Sequence, residues 1–139
     1  MSSLSLKSLL VPTKEIEVEY PGMPGFKLKL AFMSRETSLT IRKKATKTVF
    51  KNRQPVDEFN EDLFLDLYVQ NVIKGWEGFK LAYLEMLAPV DLSGKDTEDF
   101  LEFNQENALF LVKNSSEFDA YITSFANDLG NFSTSSKSN

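Results

Sequence analysis

The sequence predicts an α+β fold: one β-hairpin packed on about four mostly amphipathic helices, with a disordered C-terminal tail. Three observations carry this. Apolar and charged residues alternate over 15–20 and again over 26–30, which is the two-residue period of a half-buried strand. Apolar residues recur at helical spacing in 56–73 and 116–129. The chain has 139 residues with 12 Phe, 4 Tyr and 1 Trp, which is the size and bulk of a single core. The expected organisation is a flexible arm over 1–13, one domain over 14–132 and a disordered tail over 133–139.

Residues 1–13 are rich in Ser and Leu and end in Val11-Pro12-Thr13, so they read as a loosely ordered arm that docks by its leucines. Ile16, Val18 and Tyr20 then alternate with Glu15, Glu17 and Glu19. After Pro21-Gly22-Met23-Pro24-Gly25, the residues Phe26, Leu28, Leu30 and Phe32 alternate with Lys27 and Lys29. Opposed glutamates and lysines would add about 0.2–1 kcal/mol per cross-strand pair. Ser34 is an N-cap, and the spacing of Leu39, Ile41 and Ala45 predicts a helix to about Thr48, although Thr37, Thr40, Thr46, Thr48 and Val49 are poor helix formers.

Gln54-Pro55 breaks that run. From Val56 to Lys74 apolar residues fill all but a narrow stripe of Asp62, Asp66, Gln70 and Lys74, which predicts one long helix serving as the central core element or an oligomer contact. Gly75-Trp76-Glu77-Gly78 reads as a turn closing it. Residues 79–88 fit strand and helix equally. Residues 90–102, acidic and containing Ser93-Gly94-Lys95-Asp96, read as an exposed loop. Asn104 caps a helix over 105–113, Ser115 or Ser116 caps a last helix striped by Phe118, Ile122, Phe125, Ala126 and Leu129, and Gly130 stops it. The tail 133–139 holds only Ser, Thr, Lys, Asn and Phe-free polar sequence, with nothing to bury.

Composition removes whole chemistries. With no His and no Cys, the chain has no imidazole base, no thiolate nucleophile and no Cys/His zinc site. Gly94-Lys95 lacks the other positions of a phosphate loop, since Pro89 and Asp96 stand where a glycine and a Ser/Thr are required. The acids Asp91, Asp96, Glu98, Asp99 and Glu102 lack the glycine of a calcium loop. Nothing nominates a catalytic carboxylate pair among the 20 acids, so no enzyme, cofactor or metal is expected. No apolar run reaches the roughly 18 residues of a membrane span, and no basic run precedes Leu4–Val11 as a signal peptide would require.

Charge divides the chain. Residues 27–53 hold nine basic residues against Glu36 alone, whereas 54–139 hold five against sixteen acids. The two segments either face each other within one fold, lie on separate solvated faces, or meet an acidic partner. Arg42, Lys43, Lys44 and Lys47 form the densest basic patch. Nucleic acid is disfavoured as its partner, because Phe32 and Phe50 are the basic window's only aromatics. Trp76, flanked by Gly75 and Gly78, is either a core ring or a partner-binding anchor.

The motif order resembles the tail assembly chaperones of long-tailed bacteriophages. The resemblance rests on Val72-Ile73-Lys74-Gly75-Trp76-Glu77-Gly78, then Phe103-Asn104-Gln105-Glu106-Asn107-Ala108-Leu109, a closing helix ending near Phe132, and the upstream strand 26–35 followed by a basic helix. The segment from Gly78 to Phe103 is longer and more apolar than the short polar turn usual in that family. The resemblance implies a non-enzymatic chaperone of the host cytoplasm, absent from the virion. It would bind and solubilise the tape measure protein and recruit the tail tube protein, in many relatives through a longer frameshifted form. Phe64, Tyr68, Gly75, Trp76, Gly78, Phe79 and Tyr83 are then the partner-binding candidates, and opposite charge suggests self-association. The rivals are a structural tail or head-completion component and a small host-directed binding protein.

Overall fold

The computed structural model describes residues 5–10 and 14–132. The expected tail 133–139 and part of the expected arm lie outside the described residues. The fold is α+β, with six α-helices and two small antiparallel sheets among the described residues. The elements run α1 (Leu6–Leu9), β1 (Glu15–Glu19), β2 (Lys27–Ala31), α2 (Arg35–Lys44), β3 (Thr46–Lys51), β4 (Gln54–Phe59), α3 (Glu61–Val72), β5 (Ile73–Glu77), α4 (Leu81–Leu87), α5 (Gln105–Asn114) and α6 (Ser116–Ala126). A short 3₁₀ turn, Leu129–Phe132, follows.

The expected hairpin is present, but it is two thirds of a sheet. β1 pairs with β2 in the register Glu17 to Lys29 and Glu19 to Lys27, and β5 adds to the other side of β2, giving the order β1-β2-β5. Lys29 also reaches Glu15 at 3.5 Å. The alternation buries Ile16, Leu28 and Leu30 on one face and leaves the charges on the other. Those buried residues join one core cluster with Val69 and Val72 of α3, Ala108 and Leu111 of α5, and Phe118, Ile122 and Ala126 of α6.

Caps set the helix starts. Ser34, Asn60, Asn104 and Ser115 each accept a hydrogen bond from the backbone N–H three residues on, satisfying a donor that the helix itself leaves unpaired. Ser34, Asn104 and Ser115 are caps the sequence predicts; Asn60 is not among them, because the helix it opens is expected to begin at Val56. The last helix ends earlier than expected, at Ala126, so Gly130 lies inside the 3₁₀ turn and does not terminate α6.

Two expected helices are shorter than their periodicity suggests. The one expected to run to Thr48 ends at Lys44, and the one expected from Val56 begins at Glu61. Between them lies a second hairpin, β3–β4, paired from Thr46–Phe59 to Lys51–Gln54. β-Branched Thr46, Thr48 and Val49 lose rotamer freedom in a helix and suit a strand. Asn52 and Arg53 both take positive φ, 51° and 64°, as a two-residue hairpin turn of matching twist requires. Pro55 fits because Lys51–Gln54 closes the turn as a bonded pair, leaving the next pair, Phe50–Pro55, the one that exchanges no ladder bond. This hairpin adds nothing to the core: none of its strand residues is buried and most are exposed.

Candidate functional site

Gly75-Trp76-Glu77 is strand rather than turn. The 61–72 helix stops at Val72, and β-branched Ile73 continues directly into β5 on the edge of β2. Gly75 lies opposite Lys29 next to a register shift, and Trp76 opposite Leu28. The chain turns only at Gly78, at φ +70°, where a Cβ would run into the carbonyl oxygen of Gly25. Glycine is therefore required there on two counts, backbone conformation and close approach.

That approach assembles an aromatic cluster. Phe79 is fully buried and stacks on Phe26, with ring centroids 4.2 Å apart and planes 8° from parallel. Trp76 meets Phe79 edge-on at 5.2 Å and Phe103 at 5.1 Å, and its Nε1 donates to the Leu101 carbonyl at 2.9 Å. Tyr83 Oη donates to the Pro24 carbonyl at 2.6 Å. The structure thus brings Gly75, Trp76, Gly78, Phe79 and Tyr83 together, as a clasp that holds the 88–104 loop and α4 against the three-stranded sheet. Phe79 has no surface to offer a partner.

The remaining candidates lie apart from the clasp. Tyr68 is buried on α3, its Oη 3.4 Å from Thr123 Oγ1, and burial pushes its phenol above the usual range. Phe64 is half-buried, and the Arg42 guanidinium lies over its ring at 5.1 Å and over Phe59 at 5.4 Å. Arg42 is thereby held by two rings, while Lys43 and Lys44 complete the end of α2 and Lys47 is the second residue of β3. The basic patch thus continues onto the second hairpin, past Lys51 to Arg53 at its tip. The sequence did not disclose that hairpin, although the run of β-branched residues before Asn52 was its signal.

Two other surfaces expose large apolar side chains. One is a groove of about 670 Å³ between α1 and α2. Leu9, Leu10, Phe32 and Leu129 line it, with Lys7, Lys14 and Glu36 at its rim. Leu6, Leu9, Leu10 and Leu129 are all more than half exposed. The other is a shallow cleft of about 880 Å³ at the base of the β3–β4 hairpin, between Thr46, Phe59 and Leu63. Among the described residues no group of acids is placed to hold a metal ion, and no helix is long and apolar enough to cross a membrane.

No curated protein and no solved structure matches the chain. A family model described as YdaY prophage protein matches residues 23–139, from the turn before β2 through the clasp, both C-terminal helices and the end of the sequence. With so much of its length covered, the chain belongs to the YdaY prophage protein family.

Proposed function

We propose that this phage protein is a tail assembly chaperone: a non-enzymatic binder that keeps the tape measure protein soluble in the host cytoplasm, assists its meeting with tail tube subunits, and is left out of the finished particle. Membership of a prophage family supports the phage setting. The resemblance of the 72–78 and 103–109 motifs to tail chaperones supplies the specific role.

The observation that carries the reading is the leucine-lined groove between α1 and α2. A long helical protein awaiting its tube presents apolar stripes at i, i+3 and i+4, and such a stripe fits an apolar groove with a charged rim. Leu9, Leu10 and Leu129 supply the apolar wall, and Lys7, Lys14 and Glu36 the rim. The clasp residues serve the reading indirectly, by fixing the sheet that carries Phe32.

Affinity capture of the tagged protein from phage-producing cells, with mass spectrometry of its partners and of purified particles, tests the proposal. The expected result is a very long helical phage protein in the capture and no copy of this chain in particles. The double variant Leu9→Ser/Leu10→Ser should lose that partner while its circular dichroism stays unchanged. Stoichiometric presence in particles would make it a structural tail or head-completion component and overturn the reading.

A further inference from the structure

We infer that the β3–β4 hairpin is a docking arm for a second copy of this chain, received by the acidic surface around residues 85–102 of its neighbour. The inference does not rest on the chaperone reading, since it follows from how charge and apolar surface are distributed.

The basic and acidic segments do not neutralise each other within one molecule. Among the described residues the ion pairs are Lys29–Glu15, Lys51–Glu58, Lys80–Glu98 and Lys113–Asp62, and none links the 42–53 segment to the 91–102 segment. Lys43, Lys44, Lys47 and Arg53 have no ion-pair partner there, and neither have Asp99 and Glu102. Both surfaces also carry large exposed apolar side chains. Phe50 is 75% exposed on the arm, with Val56 one pair further along. Phe100 is 63% exposed on the acidic side, and Met86 and Val90, in the same stretch of chain, are exposed as well.

An isolated two-stranded hairpin with so little buried is marginal in water, and burial of Phe50 against another surface would stabilise it. Opposite charge around two apolar centres gives that surface a direction: basic arm to acidic loop, with like-charged encounters disfavoured. Because arm and receptor are different parts of the same chain, the contact is heterologous, and each copy can both give and receive. The product is a head-to-tail chain or a closed ring.

Sedimentation velocity across protein concentration and salt tests this on the full chain. Wild type should self-associate at low salt and do so at least about tenfold more weakly near 0.5 M salt, where the Debye length is on the order of 4 Å. Lys47→Glu/Arg53→Glu should be monomeric, and so should Asp99→Lys/Glu102→Lys, each with native circular dichroism. Mixed together, the two should reassemble, because the acidic arm of one meets the basic loop of the other. A second arm variant, Phe50→Ser, keeps every charge and should also weaken association. Monomeric wild type at low salt, or a charge-swapped mixture that stays monomeric, would overturn the inference. So would a wild-type arm that binds duplex DNA with a steep salt slope and shows no self-association.

Discussion

At the scale of single residues, Gly78 joins two parts of the structure that no local pattern connects. Its positive φ of 70° is a conformation that other residues adopt at a cost of roughly 1–2 kcal/mol. Gly94 has a similar φ of 77°, with nothing near where a Cβ would stand. The pair separates the two demands on glycine. Gly94→Ala should cost about 1 kcal/mol, the conformational part alone, while Gly78→Ala should cost at least about 2 kcal/mol more, because the Gly25 backbone must move and with it the stacking of Phe26 on Phe79. Urea midpoints of the two variants measure the difference, and equal losses would sink the close-approach account. The sequence marked Gly75, Trp76 and Gly78 as special and offered two roles for the tryptophan. It could not show that Gly78 turns against Gly25, 53 positions earlier in the chain, because contact across that separation leaves no periodic trace.

At the scale of elements, legibility followed the strength of local signals. Caps at Ser34, Asn104 and Ser115, and the alternating charges of β1 and β2, are short-range chemistry and stand where their residue types place them. Failure came where one apolar run served two elements. Val56, Phe59 and Ile73 extend the helical periodicity of 61–72 in both directions, yet Val56 and Phe59 lie in β4 and Ile73 opens β5, because sheet pairing overrides a pattern that both states satisfy. The β3–β4 hairpin was hidden further by its turn. Asn-Arg is a weak version of the Asn-Gly signal, since arginine at φ 64° is strained where glycine is not. Arg53→Gly should therefore stabilise the hairpin by about 1 kcal/mol. Hydrogen exchange is the measurement: amides of 47–58 should gain roughly fivefold protection, while those of β2 and α6, which report the whole core, should not change. Equal gains in both sets would mean that the arm unfolds only with the core.

At the scale of the whole molecule, composition and burial together set the response to pH. With no histidine and no cysteine, no side chain of ordinary pKa titrates between about pH 5 and 8, so stability should be nearly flat across neutrality. The alkaline side differs, because three tyrosines sit where α6 closes over the sheet. Tyr20 is 4% exposed, donates to a Glu117 carboxylate oxygen at 3.1 Å and has its ring 4.7 Å from that of Tyr121. Burial first, and then the hydrogen bond to Glu117, push its phenol far above the usual range; burial likewise raises Tyr68 and Tyr121. In each case the folded chain holds its proton at a pH where the unfolded chain has released it. Stability from these groups is complete below the unfolded tyrosine pKa of about 10 and is lost as pH rises beyond it, by up to about 1.4 kcal/mol per pH unit for each group. Urea midpoints should thus hold steady from pH 6 to about pH 9 and fall steeply above about pH 10. Tyr20→Phe should flatten that fall, because a phenyl ring keeps the stacking on Phe26 and Phe118 but cannot ionise. Its loss at neutral pH should be only about 1 kcal/mol, for the bond to Glu117. An alkaline slope unchanged in Tyr20→Phe would move the effect onto Tyr68 and Tyr121, and Tyr68→Phe/Tyr121→Phe would then have to abolish it.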